Sequence, residues 1–322
     1  MARTRLFGRT GWRVTEVGLG CWQYGGAIML DGLPNGWTGV SDAESIATLQ
    51  RAVELGINFF DTSDQYGWGH SEELVGRALK PFRDQVYLAS KVGFGRDDEN
   101  RRTLVESKDA ILAACERSLQ RLQTDRLDLY QCHLSRTQRW TEFLEAFDVL
   151  QRQGKIRCFG VSTNDFATVQ RFDETRKLTA VQANYNLLDS AGDREIMPYC
   201  RARGIAFIAR GPLAMGKLSG KYTPESPFDP NEIRRVWVET PEARAGFERD
   251  LALVERLRPI AAKAGFTMAQ LAIKYVLAHV GVSAVIPGAK NRRQLEENLA
   301  ASVLPPLTTD ELAGIQRALA VE

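Results

Sequence analysis

Short apolar, strand-like runs alternate with longer amphipathic stretches along almost the whole chain, and this alternation constrains the fold more than any other feature. The runs fall at residues 17–21, 57–61, 86–91, 127–133, 158–162, 180–184, 205–210 and 282–286. Helical stretches separate them, at 41–55, 71–79, 108–122, 143–153, 167–176 and 194–203, then at about 250–264, 267–279 and 292–300. In 108–122, Ile111, Leu112, Cys115, Leu119 and Leu122 recur on one helical face. Ser41 is placed to cap its helix, while Gly56, Gly154 and Gly204 are placed to end theirs. Strict β–α alternation predicts a parallel sheet. Eight such units in 322 residues predict an α/β chain closed as a (β/α)8 TIM barrel, with 1–322 forming one domain.

Two segments break the rhythm. Residues 4–7 and 12–14 flank Gly8-Arg9-Thr10-Gly11 and read as a β-hairpin ahead of the barrel, placed to plug its N-terminal face. Residues 217–249 carry Pro224, Pro227, Pro230 and Pro241 with little periodicity, and read as an inserted loop after strand 7. The formal net charge is only +2, which argues against a nucleic-acid or membrane partner. No uncharged apolar run approaches the roughly 18 residues of a membrane span, and the start lacks a signal peptide's apolar core. The chain therefore reads as cytoplasmic. Its five cysteines are odd in number and include no Cys-x-x-Cys, so buried reduced thiols are expected rather than disulfides or a metal site.

Asp61, Tyr66, Lys91 and His133 lie at or just beyond the ends of three successive strand-like runs. In a parallel barrel such ends converge on one mouth, whatever their separation in sequence. A carboxylate, a phenol, an ammonium and an imidazole would then surround one point. That set suits proton delivery to an oxygen gaining negative charge. A phenol of pKa about 10 is a weak acid near neutrality. An adjacent ammonium, Lys91, stabilises its phenolate, and a buried carboxylate, Asp61, keeps the ammonium charged. His133 can donate to the same oxygen. Individually, Asp61 could be a turn cap, Tyr66 a loop aromatic, Lys91 a surface charge and His133 a core histidine; it is the set that points to chemistry.

These residues sit in segments that resemble the aldo-keto reductases, of the bacterial NADP-dependent kind. The segments are Phe59-Phe60-Asp61-Thr62-Ser63-Asp64-Gln65-Tyr66-Gly67, Ser71-Glu72-Glu73-Leu74-Val75-Gly76, Ser90-Lys91-Val92-Gly93 and Leu129-Tyr130-Gln131-Cys132-His133. Further matches are Gly154-Lys155-Ile156-Arg157-Cys158-Phe159-Gly160-Val161-Ser162 and Val285-Ile286-Pro287-Gly288-Ala289. The resemblance covers nearly the whole chain. It implies the barrel and NAD(P)H-dependent carbonyl reduction, with Tyr66 as acid/base supported by Asp61, Lys91 and His133.

Gly18-Leu19-Gly20 invites a dinucleotide-loop reading, but the third glycine of that fingerprint would fall at Gln23. The resemblance instead implies a cofactor extended across the barrel mouth. It assigns Ser162 and Gln182 to the nicotinamide carboxamide, with Thr163 or Asn164 sharing the amide-binding role, and Gly20, Cys21 and Trp22 beside the ring. Arg210 stands where many relatives place a stacking Tyr; a guanidinium can also stack, but it adds positive charge. Pro212, Leu213, Gly216 and Lys217 fall in the segment that resembles a pyrophosphate loop. Gly288 and Lys290 precede a helix carrying Arg292, Arg293, Gln294, Glu297 and Asn298, and a helix N-terminus with nearby cations binds phosphate. Lys290 meeting a 2′-phosphate favours NADPH, with NADH possible. Trp22, Trp37, Trp68 and Phe94, in loops after the early strands, are expected to line a mostly apolar substrate pocket, with Trp237 reaching it from the insertion. The expected partner is a small-molecule carbonyl compound, and oligomeric state is left open. Two alternatives stand beside carbonyl reduction: oxidation of a sugar or secondary alcohol, and a cofactor-binding regulatory subunit on the same barrel.

Overall fold

The computed structural model describes residues 2–320. A hairpin of β1 (Thr4–Leu6) and β2 (Arg13–Thr15) precedes β3 (Leu19–Gly20). A second hairpin follows, β4 (Ala27–Leu30) with β5 (Leu33–Gly36), then α1 (Asp42–Glu54), β6 (Phe59–Asp61), α2 (His70–Leu79) and β7 (Tyr87–Val92). A third hairpin, β8 (Phe94–Arg96) with β9 (Arg102–Leu104), leads to α3 (Lys108–Leu122), β10 (Leu127–Cys132), α4 (Trp140–Arg152) and β11 (Ile156–Ser162). The chain continues through α5 (Phe166–Phe172), β12 (Ala180–Asn184), α6 (Ile196–Arg203) and β13 (Ala206–Arg210). It ends with α7 (Pro241–Ala264), α8 (Met268–Ala278), β14 (Ala284–Val285), α9 (Arg292–Val303) and α10 (Thr309–Leu319).

Eight strands form one parallel sheet in the order β14-β13-β12-β11-β10-β7-β6-β3. Parallel bridges Val17–Val285 and Gly20–Gly288 join its two edges, so the sheet closes as the expected (β/α)8 barrel. The amide of Gly18 donates to the Val285 carbonyl at 2.8 Å, and the amide of Val285 donates to the Glu16 carbonyl at 2.8 Å. Closure leaves these strands no free edge to satisfy.

The N-terminal hairpin plugs the bottom of the barrel. Phe7, Trp12 and Val14 pack with Phe59, Ala89, Leu129 and Ala206 in an interior core of their own. Small residues on these strands leave room for the two rings, which stack 5.8 Å apart. Arg9 pins the plug by donating to the carbonyls of Arg203, Arg176 and Leu178.

Two helices and two hairpins differ from the periodicity reading. Helix α7 starts at Pro241 rather than near 250, because Thr240 caps it and proline is tolerated at a helix's first positions. Helix α10 lies beyond 292–300, the last stretch assigned as helical; its marker is the Thr308/Glu311 capping box. The hairpins β4–β5 and β8–β9 lie within stretches that read as loops. Their turns interlock at the rim: Asp31 donates its amide to the Asn100 carbonyl at 3.1 Å and accepts from the Arg102 amide at 2.7 Å. The insertion after β13 is present. It carries a satellite core of Trp237, Phe247 and Leu251 against Tyr222 and Phe228, so Trp237 packs the insertion and is not on the cavity wall. No helix among the described residues is long and apolar enough to cross a membrane.

Candidate active site

The strand register brings the four residues together. Asp61 closes β6 opposite Ala89 of β7, and Lys91, further along β7, pairs with Gln131 of β10. His133 follows β10 directly, and its amide donates to the Val92 carbonyl at 2.7 Å. Tyr66 stands in a tight turn beyond β6, Tyr66–Gly69, in which Gly67 takes φ 63°. A Cβ there would run into the carbonyl of Gly25, so the turn Trp22–Gly25 presses directly against the Tyr66 backbone and fixes it.

Lys91 is fully buried and all three of its ammonium hydrogens are used. It donates to Asp61 Oδ1 at 2.5 Å, to the Thr62 carbonyl at 2.8 Å and to the Tyr66 hydroxyl at 3.1 Å. The second oxygen of Asp61 accepts from Gln182 Nε2 at 2.8 Å and Gln131 Nε2 at 3.0 Å. Burial works against the ammonium, but Asp61 and then Tyr66 outweigh it and hold the Lys91 pKa above its ordinary value. Burial also raises Tyr66; Lys91 pulls it back only in part, and Asp61 adds to the rise. Lys91 thus acts on the phenol in the expected direction, yet removal from water wins in the sum. Both groups are protonated at neutral pH. Burial, followed by the charges of Lys91, Arg210 and Arg102, pushes the His133 imidazole well below its ordinary value, so it is neutral. Its Nδ1 lies 3.1 Å from the Ser63 hydroxyl.

A cavity of about 980 Å³ opens above these groups. Asp61, Tyr66 and His133 reach its wall, while Lys91 lies behind them. Trp22 and Phe94 line the same end, and Trp37 stands between them and the cations, with Lys290 5.3 Å and Arg234 4.9 Å from its ring. Trp22 stacks on Tyr66 at 6.0 Å and meets Trp37 edge-on at 5.4 Å; Phe94 meets His133 at 5.5 Å. Trp68 does not line the cavity: its left-handed backbone carries it away, and Arg96 covers its ring at 5.3 Å.

Gly20, Cys21, Gln182 and Arg210 form the floor beside Tyr66. Arg210 is held by neutral acceptors: Asn184 Oδ1 at 2.8 Å, Ser162 Oγ at 3.2 Å and Asn164 Oδ1 at 3.3 Å. Ser162, Thr163 and Asn164 lie off the cavity wall. Thr163 donates its hydroxyl to the Ser135 carbonyl at 2.6 Å, and Asn164 Oδ1 also accepts from the Asn184 amide at 2.9 Å. Their polar groups are engaged in turning the chain after β11.

The far end of the cavity is cationic. Pro212, Leu213, Gly216 and Lys217 form one wall; Gly288, Lys290, Gln294, Glu297 and Asn298 form the other. Arg293 also lines the cavity, whereas Arg292 turns aside to pair with Glu44. Gln23, Tyr24 and Asn298 brace the Gly288-Ala289 carbonyls, which fixes the turn entering α9. The insertion adds Lys221 and Arg234 to the wall, and a buried acid, Glu232, lies behind them. Glu232 accepts from Lys290 at 3.3 Å, from the Thr38 hydroxyl at 3.0 Å and from Arg234.

Sequence reading missed Gln131, Ser63, Glu232 and Arg234. Gln131 carried a signal, being an amide inside an otherwise apolar run. Glu232 carried none, since it lies in an aperiodic segment and meets Lys290 only through the fold.

Comparison with known proteins identifies the family. The sequence model of the Aldo/keto reductase family matches residues 16–320. Aldo-keto reductase YhdN of Bacillus subtilis is 33% identical over 298 residues, covering 89% of this chain and 85% of that protein. The holo form of aldo-keto reductase AKR11C1 from Bacillus halodurans superimposes with a TM-score of 0.79 at 29% identity, covering 100% of this chain and 98% of that one. The glycerol dehydrogenase AKR11B4 from Gluconobacter oxydans superimposes with a TM-score of 0.83 at 29% identity, covering 98% and 95%. The chain belongs to the aldo/keto reductase family, and it is an oxidoreductase acting between carbonyl and alcohol.

Proposed function

We propose that the chain reduces an aldehyde or ketone to an alcohol, with NADPH as reductant and Tyr66 as proton donor. The observation that carries this reading is the continuous hydrogen-bond chain from Asp61 through Lys91 to the Tyr66 hydroxyl, opening onto the cavity. When bound, the cofactor supplies hydride to the carbonyl carbon. Tyr66 gives its proton to the oxygen as negative charge develops there, and Lys91 stabilises the phenolate left behind. Asp61 keeps Lys91 charged and in place. His133 donates to the same oxygen and orients the carbonyl.

The chemistry of the lining fits a dinucleotide. Lys217, Lys221, Arg234, Lys290 and Arg293 line the cavity near the start of α9, with Lys217 paired to Asp250. Burial lowers the Arg234 pKa to about 10. Burial also holds Lys221 and Lys290 below their ordinary values; Arg234 adds to it and Glu232 opposes it, more strongly at Lys290. A bound polyanion would offset that loss of solvation. Gly216 and Lys217, with Pro212 and Leu213, would hold the pyrophosphate. Lys290, with Gly288, Gln294, Glu297 and Asn298 around it, would hold the 2′-phosphate end. Gly20, Cys21, Trp22 and Gln182 would flank the nicotinamide. Ser162, Thr163 and Asn164 would act on it indirectly, by fixing Arg210 or the turn beside it.

Glu232 bears on cofactor choice, because its carboxylate already answers part of the Lys290 charge and so favours NADH relative to an unopposed lysine. Lys290→Ala is expected to weaken NADPH roughly 10- to 100-fold while changing NADH little. Glu232→Gln is expected to tighten NADPH selectively. Equal effects on the two cofactors, read by fluorescence titration, would put the 2′-phosphate elsewhere.

The likeness to a glycerol dehydrogenase favours a second reading, the same residues working in the oxidising direction on a sugar or secondary alcohol. NADPH titration followed by turnover of 4-nitrobenzaldehyde, compared with NADP⁺ plus glycerol, tests both. Tight binding with no turnover in either direction would leave a cofactor-binding regulatory subunit.

A further inference from the structure

We infer that Ser63 is a positioning residue: it gives its hydroxyl hydrogen to His133 Nδ1, and so leaves Nε2–H to donate to the substrate oxygen. This rests on the carbonyl-reduction reading for the use made of the donor, but not for the state of the ring.

A neutral imidazole carries one hydrogen, on one nitrogen or the other, and only the protonated nitrogen donates. His133 is held neutral, as described above, by burial and by the charges of Lys91, Arg210 and Arg102. Its usefulness to an oxygen gaining negative charge therefore depends on which nitrogen bears the hydrogen. A bare Nε2 would set a lone pair against that oxygen.

Ser63 is fully buried and touches Nδ1 at 3.1 Å. Its hydroxyl has one hydrogen and two lone pairs. The Gln65 amide donates to one lone pair at 3.2 Å. What remains is one lone pair and one hydrogen, with two candidate partners: Nδ1 at 3.1 Å and Asp64 Oδ1 at 3.3 Å. If the hydrogen goes to Asp64, Nδ1 must donate to Ser63 and Nε2 is bare. If it goes to Nδ1, Nε2 carries the hydrogen. Nδ1 is the nearer partner, and among the described residues it has no other. Asp64 Oδ1 is the more distant partner, and Asp64 keeps only part of its surface open to water, which can compete with Ser63 for it. The geometry therefore assigns the hydrogen to Nδ1, and the ring is presented as a donor before any substrate arrives.

The chain contains only three histidines, His70, His133 and His279, so ¹⁵N-histidine NMR of the whole protein can be assigned by single substitutions. At neutral pH, His133 is expected to show an unprotonated Nδ1 and a protonated Nε2. A protonated Nδ1 in the wild-type spectrum would overturn the inference. Ser63→Ala is expected to lose the single tautomer and to lower kcat roughly 10- to 100-fold. NADPH affinity should stay at the wild-type value, since Ser63 is not on the cavity wall. Ser63→Thr, which keeps the hydroxyl, is expected to recover both the tautomer and the rate. A Ser63→Ala protein with wild-type kcat and an unchanged tautomer would also refute the assignment. Should Ser63→Ala not fold, the wild-type spectrum alone decides. Should the wild type turn over no carbonyl compound, the functional reading fails while the tautomer result still stands.

Discussion

Replacing Tyr66 with Phe is expected to lower kcat for carbonyl reduction by roughly 10²- to 10⁴-fold and to leave NADPH affinity near wild type. The substitution removes only the hydroxyl. The ring that stacks on Trp22 remains, and so does the turn that Gly25 holds in place. Binding contributed by the aromatic cluster therefore survives, while proton delivery does not. Because Tyr66 sits above its ordinary value of 10.0, the phenol stays protonated through the neutral range, and the wild-type reduction rate should fall only at strongly alkaline pH. Stopped-flow transients with NADPH and an activated aldehyde would separate hydride transfer from release. Turnover within tenfold of wild type in Tyr66→Phe would mean that another group supplies the proton.

Lys91→Met is expected to be the most damaging substitution of the site, because it harms stability as well as chemistry. The lysine is fully buried, and removing it strands the Asp61 carboxylate in the barrel interior with only two amides to satisfy it. Breaking such a buried pair from one side costs about 3–5 kcal/mol. The double variant Asp61→Asn with Lys91→Met removes both charges and should regain most of that stability, yet remain inactive. Urea unfolding of the two variants with the Asp61→Asn single variant completes the cycle. Additive losses would mean that the pair is not coupled in folding.

The barrel was legible because its cause is local. Apolar runs bounded by turn residues, with capping serines and terminating glycines between them, specify alternating strands and helices residue by residue. Helix 108–122 and strand 180–184 fall where the sequence puts them. The convergence of the candidate site was legible for a geometric reason: Asp61, Lys91 and His133 mark the ends of adjacent parallel strands, and adjacency follows from chain order. What was not legible depends on distant contacts. The hairpins at the rim are short, and they are stabilised by each other through Asp31, Asn100 and Arg102 rather than by any alternation of their own. Trp68 and Trp37 look alike in sequence, but a left-handed backbone sends Trp68 toward Arg96 and away from the cavity. Glu232 lies 58 positions from Lys290 and in no periodic segment; only the folded insertion sets it there. The net shift of Tyr66 was likewise out of reach, since the sequence names the neighbouring charge but not how completely water is excluded.

The hairpin that fills the bottom of the barrel also governs traffic. With Phe7 and Trp12 packed across the interior, nothing reaches Tyr66 from below. Every molecule must use the upper mouth, and the same cavity wall serves both the catalytic end and the cationic end. Arrival and departure therefore share one doorway, and occupants that overlap there must take turns.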